Sequence, residues 1–278
     1  MAEQPLLIVN ADDFGLAAGT NRGVTQAFDR GIVRSASLLA GGAVFAEAVA
    51  IAKSRAALGV GVHLALTQVR PVLPPERLPG LCAGGDSFAD GPGKLIARLA
   101  AGRIPRAEIV AEWSAQIERA LAAGLTVTHL DGHQHLHVLP ALRGILAELA
   151  RRYGIGKVRL PGLGGPSRSP GEWLKAAGIA AMARLARPAF AGLSRPDRFW
   201  GLACSGDLHR ENLLAILRNI TAGSHELMTH PADFDPAMRQ NLVWNYHWET
   251  ELAALCDPAV VELVWASGLR LGNYRDLA

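Results

Sequence analysis

Cysteine is scarce in this chain of 278 residues, with three copies at Cys82, Cys204 and Cys256. The number is odd and no two of them are close in sequence, which argues against a disulfide framework and against a cysteine-based zinc site. We therefore expect small buried thiols in a protein of a reducing compartment.

Long runs of basic residues and long apolar runs are also missing. The net charge is only +3, and no dense Lys/Arg run with interleaved aromatic residues occurs, so we expect no nucleic-acid partner. The first ten residues lack the basic and long apolar regions of a secretory signal. The alanine-rich stretch Ser35–Ala52 is interrupted by Gly41, Gly42 and Glu47, which disfavours a membrane span. These features predict a cytoplasmic protein.

Short apolar segments alternate with longer segments of helical periodicity. Half of the residues are apolar, which is typical of a globular protein with a sizeable core. The pattern predicts strands at Leu6–Val9, Ser35–Leu39, Gly59–Leu66, Thr126–Leu130, Lys157–Leu160, Arg198–Ala203 and Glu226–Thr229. It predicts helices at Asn21–Arg30, Ala43–Arg55, Pro105–Gly124, Leu142–Tyr153, Glu172–Ala186, Arg210–Ile220 and Pro258–Ser267.

Alternating strands and helices predict an α/β fold with a parallel sheet and right-handed crossovers. About seven such units favour one domain over residues 1–278, with a closed or nearly closed (β/α) barrel of the TIM-barrel type. An open doubly wound sheet is the alternative, but no G-x-G-x-x-G follows the first strand. The Pro- and Gly-rich stretch Thr67–Ile104 is predicted as a surface excursion, either a wall of the site or a tolerated insertion.

Two adjacent carboxylates, Asp12 and Asp13, follow the first predicted strand in the sequence NADDFG at residues 10–15. Neighbouring carboxylates repel each other when they are buried, and a bound cation offsets that repulsion. One of them can then bind a metal ion while the other accepts a proton. An exposed turn with two acidic residues is the alternative.

Histidines lie in or directly after three further predicted strands. The strongest signal is THLDGHQHLH at residues 128–137, because imidazole is a common metal ligand and a nearby carboxylate often orients it. His63 lies inside or at the end of an apolar strand, and His230 lies just after one; a structural histidine fits both positions as well. The C-terminal ends of barrel strands share one face, so we expect all four motifs to converge in one cleft.

Together these segments resemble the YdjC-like carbohydrate deacetylases, a group that includes chitooligosaccharide deacetylases. The resemblance rests on LIVNADDFG at residues 7–15, GVH at residues 61–63 and THLDGHQH at residues 128–135, in the family's order. The segments WNYHWE at residues 244–249 and GNYRDL at residues 272–277 resemble the hopanoid-biosynthesis-associated HpnK branch.

This resemblance implies a barrel of the glycoside hydrolase/deacetylase type and one divalent metal ion held by Asp13, His63 and His133. It also implies that Asp12 is the catalytic base and that His230 is a second catalytic residue. The family is described with magnesium, whereas one carboxylate with two imidazoles also suits zinc or another transition ion.

Three further residues, Asp131, His135 and Arg159, are expected to orient the ligands or the base, or to contact the substrate. Ordinary polar residues at strand ends fit their positions equally well. The middle regions Thr67–Ile104 and Pro161–Pro196 do not align with family features, so substrate specificity is least determined there.

The reaction that the resemblance implies is removal of acetate from an N-acetylated sugar, either the N-acetylglucosaminyl group of a glycosylated hopanoid or a chitooligosaccharide. A metal-dependent phosphoesterase, another amidase and a non-catalytic sugar-binding protein are the alternatives. A hopanoid substrate would bring the protein to a membrane surface, which the apolar segment Glu172–Leu193 could contact. The same segment fits a helix packed on a barrel, and an oligomer is compatible with the sequence.

Overall fold

The fold is built around a parallel sheet. The computed structural model describes residues 4–89, 91–236, 238, 244 and 246–278. The strands are β1 (Leu6–Phe14), β2 (Ser35–Leu38), β3 (Gly59–Leu64), β4 (Val127–Gly132), β5 (Arg198–Trp200), β6 (Ser224–Thr229) and β7 (Arg270–Gly272). Their order is β4-β3-β2-β1-β6-β5, and β7 pairs with the first residues of β1.

Helices connect these strands and cover the sheet. The α-helices are α1 (Ala18–Arg30), α2 (Phe45–Ser54), α3 (Pro79–Cys82), α4 (Pro92–Ala100), α5 (Arg106–Ala122), α6 (Pro140–Arg152), α7 (Pro170–Ala186), α8 (Arg210–Arg218), α9 (Trp248–Leu255) and α10 (Pro258–Ala266). Short 3-10 helices occur at Pro75–Arg77, His133–Val138 and Tyr274–Asp276. In the ranges that the structure describes, no helix is both long enough and apolar enough to cross a bilayer.

The sheet forms a half-barrel. Beyond β4, Leu130 bridges to Val158, and Lys157 bridges in turn to Ser194. Across the described parts of the chain, no strand pairing joins Ser194 to β5, so the full barrel expected from the sequence is not observed. The predicted strand Lys157–Leu160 is reduced to isolated bridges, and the Gly- and Pro-rich chain that follows it is unfavourable for a further strand.

The two faces of β1 have different environments, because alternate residues of a strand point to opposite sides. Leu7 and Val9 pack with Val24 of α1 in one core cluster. Ile8 lies on the other face and packs with Tyr274 inside the half-barrel. The polar residues of the functional site continue this interior face toward the C-terminal end of β1.

The predicted excursion Thr67–Ile104 is more ordered than expected. It contains α3 and α4, and Leu81 and Leu95 are buried in the core. Glu108 of α5 accepts hydrogen bonds from the backbone N–H groups of Gly80 and Leu81 at 3.0 Å each. The segment therefore forms a fixed wall beside the C-terminal ends of the strands.

Candidate active site

A backbone irregularity at the end of β1 brings two consecutive carboxylates to the same place. Adjacent strand residues normally face opposite sides. The pairing register with β2 shifts between Ala11 and Phe14, and Asp13 has a φ of 63°, in the left-handed region. This irregularity places both Asp12 and Asp13 beside His63 of β3.

Asp13, His63 and His133 form a compact cluster of donor atoms, all within 4.8 Å of one another. Oδ1 of Asp13 lies 3.0 Å from Nδ1 of His133 and 3.7 Å from Nε2 of His63. Ligand atoms about 2.1 Å from one ion stand about 3.0 Å apart at right angles and about 3.4 Å apart at tetrahedral angles. The observed spacings therefore suit a shared divalent ion.

The donor atoms are also free to bind such an ion. Oδ1 of Asp13 is buried and accepts no well-aligned hydrogen bond from the residues described. His63 donates from Nδ1 to Asp131 at 2.9 Å, and His133 donates from Nε2 to Gln68 at 2.8 Å. Each imidazole thus turns its other nitrogen toward Asp13, as is usual for metal-binding histidines with a polar outer partner.

The electrostatic environment of the cluster favours positive charge. Burial lowers the pKa of His63, but the surrounding carboxylates of Asp131, Asp12 and Asp13 outweigh this effect and raise that pKa to about 9. Burial raises the pKa of Asp13, yet the neighbouring histidines bring it below its ordinary value. A proton or a metal ion can supply the charge that these carboxylates stabilise.

Arg159 is fully buried and holds the carboxylate of Asp12. Its Nη1 and Nη2 donate to Oδ2 and Oδ1 of Asp12, both at 2.6 Å. Burial raises the pKa of Asp12, but the charges of Arg159 and His63, with the hydrogen bonds from Arg159, bring it below its ordinary value. Asp12 is therefore a fixed, ionised carboxylate beside the cluster.

The four histidines of residues 128–137 have different environments. Of these, only His133 joins the donor cluster. His135 lines the adjoining cavity, with its ring edge-on to Phe199. His129 stacks on Tyr274, with the two ring centroids 3.7 Å apart. His137 donates from Nε2 to the backbone oxygen of Arg159 at 3.1 Å.

His230, which follows β6, lies in the same cavity as the donor cluster. Its backbone N–H donates to Oε2 of the buried Glu251 at 2.7 Å, which fixes the loop. The His230 ring meets Tyr246 edge-on at 5.1 Å, and its Nδ1 has no hydrogen-bond partner in the described part of the chain. His230 is thus a buried imidazole beside the cluster.

A cavity of about 840 Å³ opens above the cluster. Asp12, Asp13, His63, His133 and His230 are among its polar lining residues. Its walls are largely aliphatic, with side chains from α4, α7 and the segment before α6. These wall residues include Ile96, Leu139, Leu174, Ile179 and Met182. The site therefore combines a small charged centre with an apolar approach.

Among the described residues other than glycine, left-handed backbone conformations are concentrated at this cavity. Asp13, Gln68, Gln134 and His135 have φ between 55° and 64°, and all four line it. Gln134 donates from Nε2 to Oε1 of Gln68 at 2.7 Å, which joins two of these residues. Such conformations cost energy in residues other than glycine and cluster at functional sites.

Five further residues of the site are not among the sequence candidates. Gln68 contacts His133, while Trp244 and Tyr246 add aromatic surface beside His133 and His230, respectively. Glu226 and Tyr274 lie below Arg159. A sequence signal exists for Glu226, because a glutamate inside an apolar strand is costly unless it has a partner. No comparable signal identifies the others.

Comparison with known proteins assigns the chain to a family. The family model described as YdjC-like protein matches residues 6–265. The chain belongs to this YdjC-like family. A carbohydrate deacetylase of Brevibacillus brevis is 33% identical over 272 residues, covering 98% of this chain and 99% of the relative. A chitooligosaccharide deacetylase of Klebsiella pneumoniae is 34% identical over 276 residues, covering 98% and 99%.

A solved structure shares the fold of this YdjC-like chain. A provisionally named cellobiose-phosphate cleavage protein of Enterococcus faecalis superimposes with a TM-score of 0.77 at 27% identity, covering 98% of both chains. The HpnK branch is a finer assignment than these comparisons reach. Of the segment at residues 244–249 that favours this branch, Asn245 lies outside the described residues.

Proposed function

We propose that this protein is a divalent-metal-dependent hydrolase that removes the acetyl group from an N-acetylated sugar. One observation carries the proposal: Asp12 lies beside the donor cluster of Asp13, His63 and His133 on the floor of one cavity. The relatives named as carbohydrate deacetylases support the same chemistry.

Asp13, His63 and His133 would hold the ion. When bound, such an ion acts as a Lewis acid that polarises the acetamido carbonyl and makes water more acidic. Within the described residues, Oδ2 of Asp12 accepts one hydrogen bond, from Arg159, and lies 3.9 Å from Nε2 of His63. Oδ2 therefore has a lone pair directed to the site, where it takes the proton of the attacking water.

His230 supplies the second proton transfer. The sugar nitrogen leaves as an amine only if it gains a proton as its bond to the acetyl carbon breaks. The imidazole of His230 lines the cavity, and Glu251 fixes its backbone. It donates this proton, and acetate and a free amino sugar result.

The geometry favours this reaction over a two-metal phosphoesterase. Asp12, His63 and Asp131 form a second close group of donors. However, Arg159 lies 2.7 Å from Oδ2 of Asp131 and holds both oxygens of Asp12. A guanidinium in that position leaves no room for a second cation. A pure binding protein would not need an additional ionised carboxylate beside the ion.

Acetate release from N-acetylglucosaminyl compounds, with added divalent metal ions, tests the proposal. The wild-type protein is expected to release acetate. Asp12→Asn is expected to bind the ion and to lose turnover, because it removes the proton acceptor and keeps the shape. Full activity in Asp12→Asn would remove Asp12 from this role, and a wild-type protein without acetate release would reject deacetylation.

The aliphatic walls support a glycolipid, with a glycosylated hopanoid as the proposed substrate. Side chains such as Ile96, Ile179 and Met182 offer apolar contact and no hydrogen bonds to a second sugar ring. A chitooligosaccharide would present hydroxyl groups to these walls. The acetate-release screen should therefore compare chitooligosaccharides with an N-acetylglucosaminyl hopanoid, and faster turnover of the chitooligosaccharide would contradict the assignment to the HpnK branch.

Helix α7 supports contact with a lipid surface. Trp173, Leu174 and Leu185 are 50%, 69% and 60% exposed, and Leu174 also lines the cavity. Lys175 pairs with Glu172 at 3.6 Å, and the exposed Arg184 adds positive charge on the same helix, which suits an anionic bilayer. Trp173→Asp should weaken co-sedimentation with anionic liposomes. Trp265→Asp in α10 is the control, because Trp265 is 65% exposed but lies on a different helix, and it should leave co-sedimentation unchanged. No binding by the wild-type protein would reject this role.

A further inference from the structure

Arg159 is fixed from three sides inside the half-barrel. Besides its two bonds to Asp12, it lies 2.7 Å from Oδ2 of Asp131 and donates from Nε to Oε1 of Glu226 at 2.8 Å. All four side chains are at most 3% exposed. The orientation of the guanidinium, and with it the orientation of Asp12, therefore depends on the carboxylates on its other sides.

Glu226 connects Arg159 to the C-terminal segment. Its Oε2 accepts a hydrogen bond from Oη of Tyr274 at 2.5 Å. Tyr274 is fully buried and stacks on His129 of β4, with ring centroids 3.7 Å apart. A continuous chain of polar contacts thus runs from Tyr274 through Glu226 and Arg159 to Asp12.

The backbone at Tyr274 is tied to the start of β3. Asn273 donates from Nδ2 to the carbonyl of Ala57 at 3.3 Å, and the Arg275 side chain donates to the carbonyls of Ala56 and Leu58. A capping box at Asn273 holds the 3-10 turn that follows. The segment is therefore a rigid support, and rigid supports keep reactive groups at the required distance.

We infer that Glu226 and Tyr274 are positioning residues that hold Asp12 in place through Arg159. This inference rests on the proposed deacetylase function. Without Glu226, Nε of Arg159 loses its acceptor, and the guanidinium is no longer held at the angle that fixes Asp12. A displacement of about 1 Å at a reacting group can lower a rate by about 100-fold. The metal-binding cluster, which these two residues do not touch, should keep its affinity.

Three variants test the inference. Glu226→Leu removes the acceptor, Glu226→Gln keeps an oxygen for Nε of Arg159, and Tyr274→Phe keeps the ring but removes the hydroxyl group. We expect Glu226→Leu to lower kcat by about 10- to 100-fold with little change in KM. Glu226→Gln should recover much of that loss, and Tyr274→Phe should show a smaller decrease. Affinity for a divalent ion, measured by calorimetry with Mn²⁺, should stay within about twofold of wild type. A change that did reach the ligands through their outer partners would lower that affinity by about 10- to 100-fold.

Tyr153→Phe is the matched control, because Tyr153 donates a hydrogen bond of the same kind to Glu118 at the surface. Its kcat should equal that of the wild type. Wild-type kcat in Glu226→Leu, or in Tyr274→Phe if the leucine variant does not fold, overturns the inference. Parallel loss of Mn²⁺ affinity and kcat would also overturn it, because the effect would then act through the cluster. A wild-type protein that releases no acetate would instead reject the proposed function and this inference with it.

Discussion

Arg159 and Asp12 form a bidentate ion pair that is almost completely buried, with both N–O distances at 2.6 Å. The pair joins β1 to a chain segment 147 residues away. Planar guanidinium groups match carboxylates in this geometry, which a lysine cannot reproduce. One charged contact therefore links the stability of the half-barrel to the geometry of its reactive centre.

Removing the guanidinium should destabilise the fold. Arg159→Met removes the guanidinium that Asp12, Asp131 and Glu226 share, and breaking a buried pair in this way costs about 3–5 kcal/mol. Urea denaturation measures the loss. Arg106→Met, at the exposed pair with Glu148, is the control and should change stability by about 0–1 kcal/mol. Equal losses of stability in the two variants would contradict the expectation that the buried pair contributes more to stability than the exposed one.

Ion binding should depend on His63 and His133. Alanine at either position removes a proposed ligand and should abolish tight binding of a divalent ion in calorimetry. Gln68→Ala removes the partner of His133 and keeps all three proposed ligands, so a decrease in affinity of about 10- to 100-fold is expected. The exposed His209, which pairs with Glu211, provides a control. Unchanged affinity in His63→Ala and His133→Ala would exclude the proposed ligand set.

Glu226 should make stability depend on pH. Burial raises its pKa to about 7, against the opposing charge of Arg159 and the hydrogen bond from Tyr274, while the carboxylates of Asp12 and Asp131 add to the rise. The folded state then holds a proton that the unfolded chain, with its value of 4.5, has lost. The stability contributed by that proton is complete below pH 4.5 and disappears as the pH rises through about 7.

Glu226→Gln carries no titrating group at this position. Its free energy of unfolding should therefore rise relative to that of the wild type between pH 4.5 and about 7, and the difference should be constant above that range. Chemical denaturation across this interval measures the effect. A difference that does not vary with pH would show that Glu226 titrates at its ordinary value when folded.

Helix α1 requires a glycine where it packs against the loop of His230. A Cβ at Gly23 would lie 2.5 Å from the backbone oxygen of Pro231 and from Cα of Ala232. Gly23→Ala should therefore displace this loop and lower both stability and kcat. Gly144 in α6 is the matched control, since a Cβ there meets nothing within 4 Å and should stabilise the helix by about 0.5–1 kcal/mol. Unchanged kcat in Gly23→Ala would contradict the close packing.

The sequence predicted which motifs meet better than it predicted where the strands end. Alternating elements led to a parallel α/β sheet, and the histidine and aspartate motifs at strand ends do meet in one cavity. β1 continues to Phe14, beyond the predicted end at Val9. Aspartates disfavour strands in general, but a strand paired on both sides and stabilised by Arg159 tolerates Asp12.

Long-range contacts were beyond the reach of sequence patterns. Tyr274 enters the half-barrel because β7 pairs with β1, and this three-residue strand was not predicted. Helix α9, which carries Glu251, was also missed. Short elements of this kind have little periodicity of their own, and the contacts that stabilise them connect distant parts of the chain.

The most direct test follows acetate release from an N-acetylglucosaminyl compound while divalent ions are returned to chelator-treated protein. We expect no acetate release after chelation, and recovery in proportion to the binding of a single ion per chain. Undiminished acetate release by protein shown to hold no metal ion would contradict it.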